Sequence, residues 1–97
     1  MTLSKVIDTA IAALTARAGP GFDAVAKFVF VGEGSIMFDA SGARAGDEPA
    51  DVTLTAATEV FEALLAGQLS AASAFMSGKL GVEGSMGLAM KLGQVLS

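Results

Sequence analysis

Apolar side chains recur along the chain with two periods, and the changes between them mark out its elements. Leu3, Val6, Ile7, Ala10, Ile11 and Leu14 follow helical spacing, with Lys5, Asp8, Thr9 and Arg17 elsewhere on the wheel. This predicts a one-sided helix over residues 2–18, ended by Gly19-Pro20-Gly21. Residues 25–31 read as a strand, with Ala26, Phe28 and Phe30 on one face and Val25, Lys27, Val29 and Val31 on the other. Gly32-Glu33-Gly34 is a hairpin-sized connection. Residues 35–40 alternate again, Ile36, Phe38 and Ala40 inward, Ser35, Met37 and Asp39 outward. The segment 41–50 is polar, with Gly42, Gly46 and Pro49, and has room for at most a short edge strand near 43–45. In 51–56, Val52 and Leu54 point inward and Asp51, Thr53 and Thr55 outward.

The second half changes period. Thr58 has N-cap character, and Glu59 and Glu62 lie in the first turns, where the helix dipole favours them. Val60, Phe61, Leu64 and Leu65 form a buried stripe, and Gly67 is a good residue to end it. Ser70 starts a short helix through Ala74, Phe75 and Met76, stopped at Gly78. Residues 79–83 make a last strand, Leu80 and Val82 inward, Lys79 and Glu83 outward, and Ser85 caps a final helix. In that helix Lys91 and Gln94 are the strongly polar side chains, on one narrow wet stripe; Met86, Leu88, Ala89, Met90, Leu92, Val95 and Leu96 take the rest. A helix apolar over so much of its surface is buried on several sides or covers something apolar. Every strand has one apolar face, which fits a mostly antiparallel sheet with one face covered and one wet. The expected fold is α+β: a five-stranded sheet with all helices on one face, in a single domain over residues 1–97.

Composition sharpens the question of what the apolar surface is for. The chain of 97 residues is 53 % hydrophobic, with a mean hydropathy of +0.62. Charges or glycines break every apolar run before it reaches bilayer-spanning length. The excess therefore belongs to a core, a pocket or an interface. A net charge of −4 without any basic run argues against nucleic acid and against strong docking on anionic lipid. Lys5, the apolar stretch after it and Ala16-Arg17-Ala18 resemble a secretory signal only loosely, since Asp8 and Thr9 interrupt it. The implied location is the cytoplasm.

Candidate chemistry is sparse. Without histidine or cysteine the usual triads and zinc ligand sets are absent. Asp47, Glu48 and Asp51 share a Gly/Pro-containing loop, where a solvated loop outweighs a hard-cation site. Gly32-x-Gly34 has Met37 in place of the third glycine of a dinucleotide fingerprint, and it joins two strands. Ser77 and Lys79, as a nucleophile pair, would point to opposite faces of a strand entry. Binding outweighs catalysis, and no enzyme activity, cofactor or metal is expected. Phe28, Phe30, Phe38, Phe61 and Phe75 at regular spacing suit an ordinary core. Met76, Met86 and Met90 differ in degree, because methionine repacks around variable apolar partners.

Phe75-Met76-Ser77-Gly78-Lys79-Leu80-Gly81-Val82-Glu83-Gly84-Ser85-Met86-Gly87-Leu88-Ala89-Met90-Lys91-Leu92 resembles the C-terminal signature of the sterol carrier protein 2 (SCP-2) lipid-binding domain. Ala50-Asp51-Val52-Thr53-Leu54-Thr55 with Phe61, Leu64 and Gly67 resembles that family's strand-into-helix segment. The likeness is close over 50–97 and covers 1–49 only in the order of elements, with a short 41–50 connection. It implies an apolar tunnel under the C-terminal helix and non-enzymatic binding and intracellular carriage of fatty acids, fatty acyl-CoA, phospholipids or sterols. The chain ends Gln94-Val95-Leu96-Ser97, without the peroxisomal tripeptide of many eukaryotic members.

The ligand-binding residues expected are Phe28, Phe30, Ile36, Phe38, Phe61, Leu64, Leu65, Phe75, Met76, Leu80, Val82, Met86, Ala89 and Met90. Phe75 and Met76 would form the pocket floor, and Met86, Ala89 and Met90 the ligand-facing arc of a final helix hinged at Gly84. The expected partners are a lipid or fatty acyl ligand and a transient membrane contact, with the protein a monomer or weak dimer. The alternative is a dimerisation or partner-interaction module supporting a lipid-metabolising enzyme. A dry pocket of roughly 300–400 Å³ would cost about 7–10 kcal/mol, comparable to a domain's whole stability. The tunnel should then either collapse when empty or hold lipid.

Overall fold

The computed structural model describes residues 5–19 and 21–96. The elements run α1 (Lys5–Ala18), β1 (Ala26–Phe30), β2 (Gly34–Asp39), β3 (Gly42–Ala45), β4 (Val52–Ala56), α2 (Thr58–Leu65), α3 (Ala71–Met76), β5 (Leu80–Gly84) and α4 (Met86–Leu96). Positions 2–4 of the expected first helix lie outside the described residues, as do Pro20 and Ser97.

The five strands form one sheet in the order β3-β2-β1-β4-β5. All neighbours are antiparallel except β1 and β4, which run parallel. The register lines up one inward row across the sheet: Ala45, Ile36, Phe28, Leu54 and Val82. A second row joins Phe30, Ala56 and Leu80. These rows are the apolar positions of the alternation, so parity along each strand places the core. α1 lies over β2 and β3, α4 over β4 and β5, and the two helices touch. α2 leans on α1, and α3 on β5.

The parallel pair explains the polar segment 41–50. After β3 the chain must return to the start of β1's neighbour, and it crosses the sheet's outer face to do so. Lys27 on β1 pairs with Asp47 at 2.8 Å, and the Glu48 N–H lies 3.4 Å from Met37 Sδ. Met37 is therefore fully buried. It does point away from Ile36 and Phe38, but the crossing strap covers it, so the outer face is not uniformly wet. A side chain on Gly46 would press on Met37, its Cβ 3.0 Å from Cγ.

Asp51 fastens three elements at one point. Its N–H donates to Val25 O at 2.8 Å, and its carbonyl accepts from Ser85 N–H at 3.0 Å. Its carboxylate accepts the Val25 N–H at 3.1 Å. Gly84 beside it has φ +94°, and a Cβ there would sit 2.4 Å from Asp51 O. The expected hinge at Gly84 is thus a pinned joint, which only glycine fits. Ala57, not Thr58, is the N-cap of α2, and no side chain caps that helix. At α3 the expectation holds: Ser70 Oγ accepts the Ser73 N–H at 3.1 Å. Ser85 Oγ likewise accepts the Leu88 N–H at 3.3 Å at the start of α4.

Candidate functional site

Between α3, β5 and α4 lies an open cleft of about 460 Å³. The sheet supplies its floor through Leu54, Leu80 and Val82, the first two of them buried in the core. Ala71, Ala72 and Phe75 of α3 form one wall, and Met86, Ala89, Met90 and Gly93 of α4 the other. Ser70 and Gln94 mark its one polar end. Among the described residues no charged side chain lines it and no polar side chain is buried. The site can hold apolar matter by area, but it presents no group that titrates near neutrality to move a proton.

The local sequence opens this space. α4 divides its apolar arc: Leu92 is buried and Leu88 packs against the core, while Met86 and Met90 face the cleft as exposed lips. α3 is only six residues long, and it meets α4 through small groups. A Cβ on Gly93 would sit 3.4 Å from the Ala71 Cβ. Two helices joined at such small residues leave volume beside the contact instead of filling it. Gln94, expected beside Lys91 on the wet stripe, lines the cleft. Lys91 turns the other way and donates to Asp23 Oδ2 at 2.8 Å, tying α4 to the loop after α1. That hydrogen bond, with the charge of Lys91, lowers the Asp23 carboxyl below its usual range.

The structure sorts thirteen of the fourteen expected ligand-binding residues into three places and leaves Met76 apart. Phe75, Leu80, Val82, Met86, Ala89 and Met90 line the cleft together. Phe28, Ile36, Phe38, Phe61 and Leu64 are buried core. Phe30 and Leu65 border a second groove of about 380 Å³ between α1 and α2, where Lys5 and Glu62 also stand. Met76 lines neither and is 85 % exposed, so it is not part of a pocket floor. The α1–α2 groove is smaller and carries both signs of charge, which makes it the poorer seat for an apolar ligand. Leu54, Ala71, Ala72, Gly93, Ser70 and Gln94 join the site without having been expected there. A continuous tunnel is not seen among the described residues. The cleft opens to solvent, so neither a collapsed nor a dry cavity describes it.

Asp47, Glu48 and Asp51 are drawn into ion pairs and backbone bonds. Among the described residues no group of three or more acidic, His or Cys side chains could hold a metal ion. None of the described helices is long and apolar enough to cross a membrane.

Comparison with known proteins gives the following. A model described as the SCP-2 sterol transfer family matches residues 8–97. Sterol carrier protein 2 of Homo sapiens is 40% identical over 84 residues, covering 84% of this chain and 14% of the relative. Peroxisomal multifunctional enzyme A of Dictyostelium discoideum is 43% identical over 65 residues, 67% of this chain and 14% of that protein. The chain thus spans about one seventh of the length of these curated relatives. Among solved structures, sterol carrier protein-2 from Aedes aegypti, in complex with the C16 fatty acid palmitate, superposes with a TM-score of 0.76 at 23% identity. That match covers 100% of this chain and 97% of the other.

Proposed function

Since this chain belongs to the SCP-2 sterol transfer family, we propose that it binds one acyl chain of a lipid in the α3–β5–α4 cleft and carries it without catalysing a reaction. The observation that carries the reading is the cleft itself: about 460 Å³, lined by apolar side chains with Ser70 and Gln94 at one end and no charge. Its volume falls in the range of small-molecule sites, and its chemistry suits hydrocarbon. An acyl chain burying roughly 400 Å² there would gain about 10 kcal/mol before the costs of binding are subtracted. That leaves room for micromolar affinity or better. The fold has the same capacity elsewhere, since the Aedes aegypti protein holds palmitate.

Phe75, Leu80, Val82, Met86, Ala89 and Met90 are the side chains we assign to ligand contact, with Leu54 beneath them. Phe28, Ile36, Phe38, Phe61 and Leu64 support the floor from the core. Free fatty acids, fatty acyl-CoA, phospholipids and sterols all present the needed apolar area, and carriage would be intracellular, in the cytoplasm. Ligand identity follows from mass spectrometry of an organic extract of the purified protein, together with displacement of a fluorescent fatty acid. A lipid-free extract from a protein that also fails to bind the fluorescent probe would overturn the carrier reading.

A second reading has support of its own. The Dictyostelium discoideum relative is named a multifunctional enzyme, and this chain matches only 14% of it. The same cleft would then shelter or present a lipid to a lipid-metabolising enzyme. Stimulation of such an enzyme by added protein, lost in cleft variants, favours this arrangement over simple carriage.

A further inference from the structure

Oxidation chemistry in this chain falls to one residue type. There is no Cys, His, Trp or Tyr, so the thioether sulfurs of the five methionines are its readily oxidised groups. Met1 lies outside the described residues. The other four stand in opposite surroundings. Met37 is fully buried under the 46–48 strap, its Sδ 3.4 Å from the Glu48 N–H. Met76, Met86 and Met90 are 85 %, 50 % and 69 % exposed. Met86 and Met90 lie one turn apart on α4 and line the same cleft. Met76 lines neither that cleft nor the α1–α2 groove.

We propose that Met86 and Met90 are sites of reversible oxidation by hydrogen peroxide, and that their sulfoxides weaken the hold of the cleft on an acyl chain. The inference rests on the carrier reading. In the reaction a sulfur lone pair attacks one peroxide oxygen and the O–O bond breaks. The proton on the transferred oxygen passes to the departing hydroxide, which leaves as water. The thioether is oxidised to a sulfoxide, and the peroxide is reduced.

Position decides what each sulfoxide does. At Met86 and Met90 it sets a polar S=O on a wall that is apolar apart from Ser70 and Gln94 at one end. In the empty cleft that oxygen keeps its water, because both side chains are exposed. A bound acyl chain would strip the water away and offer only hydrocarbon in return. Oxidation therefore penalises the loaded state and spares the empty one. It spares the fold as well, since Met37, the methionine that packing depends on, is closed off from solvent. Exposure also lets methionine sulfoxide reductases, one for each sulfoxide epimer, restore the thioethers. An acyl chain already in the cleft covers both sulfurs, so ligand and oxidant exclude each other there.

The test treats the purified protein with hydrogen peroxide, maps oxygen uptake by peptide mass spectrometry and titrates a pyrene-labelled fatty acid. Met76, Met86 and Met90 should each take up one oxygen while Met37 takes none. Affinity should fall about tenfold and return after treatment with both reductases. Palmitate added before the peroxide should slow uptake at Met86 and Met90 and leave Met76 as fast as before. Met76→Leu should still lose affinity on oxidation. The double variant Met86→Leu with Met90→Leu, compared with its own untreated sample, should not respond. Loss of affinity in that double variant, or unchanged affinity once Met86 and Met90 are fully oxidised, overturns the proposal and leaves the carrier standing. Oxygen on Met37 together with a lost circular dichroism signal would trace the weaker binding to unfolding, and overturns it too. Untreated protein that binds no fatty acid overturns both readings.

Discussion

The two halves of the helical layer cover the same sheet and treat it differently. Over β1 and β2 the space is filled by rings. Phe30 stacks on Phe61 with centroids 4.3 Å apart, Phe28 meets Phe61 edge-on at 6.0 Å, and Phe22 stacks on Phe38 at 5.7 Å. The space left among them is about 10 Å³, at most the room of a single water; the α1–α2 groove of about 380 Å³ lies outside the rings and reaches only Phe30 of them. Over β4 and β5 the cleft leaves about 460 Å³. Apart from Ser70 and Gln94 at one end, the lining of the open half is as apolar as that of the closed one. It differs because its helices meet through Ala71 and Gly93, with Ala72 and Ala89 on the cleft walls, where the closed half has phenylalanines. Small residues at the helix contact make the site, and the methionines form its lips.

This contrast is broken most directly by truncation. Phe61→Ala should cost about 3–5 kcal/mol of stability in urea unfolding, because a buried ring leaves a cavity its stacked neighbours cannot close. Met86→Ala, at a half-exposed position, should cost less than about 1 kcal/mol. Equal losses would mean that the cleft side is core like the rest. Next in size is Gly84→Ala. Its φ of +94° and the approach of Asp51 O should make this one methyl cost about 1–3 kcal/mol. A neutral result would show that α4 swings freely at its start, restoring the hinge that the Asp51 contacts argue against.

Much of this was legible in the sequence, and the gaps share a cause. Alternation and glycine spacing place all five strands and the cap at Ser70, because those signals are local. Met37 shows the limit. Its parity is read correctly, but its burial comes from the 46–48 strap, and that follows from the parallel β1–β4 pairing, which no local period reveals. Phe22 escaped notice because it lies in an irregular stretch after Gly19 and Gly21, yet it is buried and stacked on Phe38. Ala71, Ala72 and Gly93 are cleft residues through what they lack, and small side chains carry no periodic signal. Met76 is expected in the pocket floor with Phe75, but one helical step turns it about 100° away. The family resemblance points to the C-terminal end, where the cleft lies; the division of α4 into a core face and a cleft face depends on the packing of α3 and β5 against it.

Binding variants sharpen the comparison further. Met90→Asp puts a charge on the cleft lip and should weaken fatty-acid affinity about tenfold in a fluorescence titration, with little change in unfolding. Lys91→Glu, one residue along but facing Asp23, should leave affinity within about twofold. The reverse order would exchange the two faces of α4.

The smallest effect concerns what holds each half shut. Each carries an exposed acid–base pair: Asp39 with Arg44 on the β2–β3 hairpin and Asp23 with Lys91 on α4. Both carboxyls are lowered from their usual range, Asp39 by the Ser41 N–H and then Arg44, Asp23 by the hydrogen bond and charge of Lys91. A carboxyl lowered in the folded state contributes stability above its unfolded value of about 4, and that contribution is lost as pH falls through the folded value. Exposure keeps each contribution small. The consequences should differ between the halves. The hairpin is also held by its strand ladder to β1, and its neighbours are packed rings. α4 has an open cleft on one side, so Asp23–Lys91 should matter more to its local opening. Hydrogen exchange in α4, corrected for intrinsic rates, should quicken below about pH 4 in the unaltered protein. In Asp23→Asn it should already be quicker at neutral pH and show a smaller acid step. If α4 and the hairpin instead loosen together in both proteins, the pair is not a latch, and α4 is held mainly by the core packing of Leu88 and Leu92.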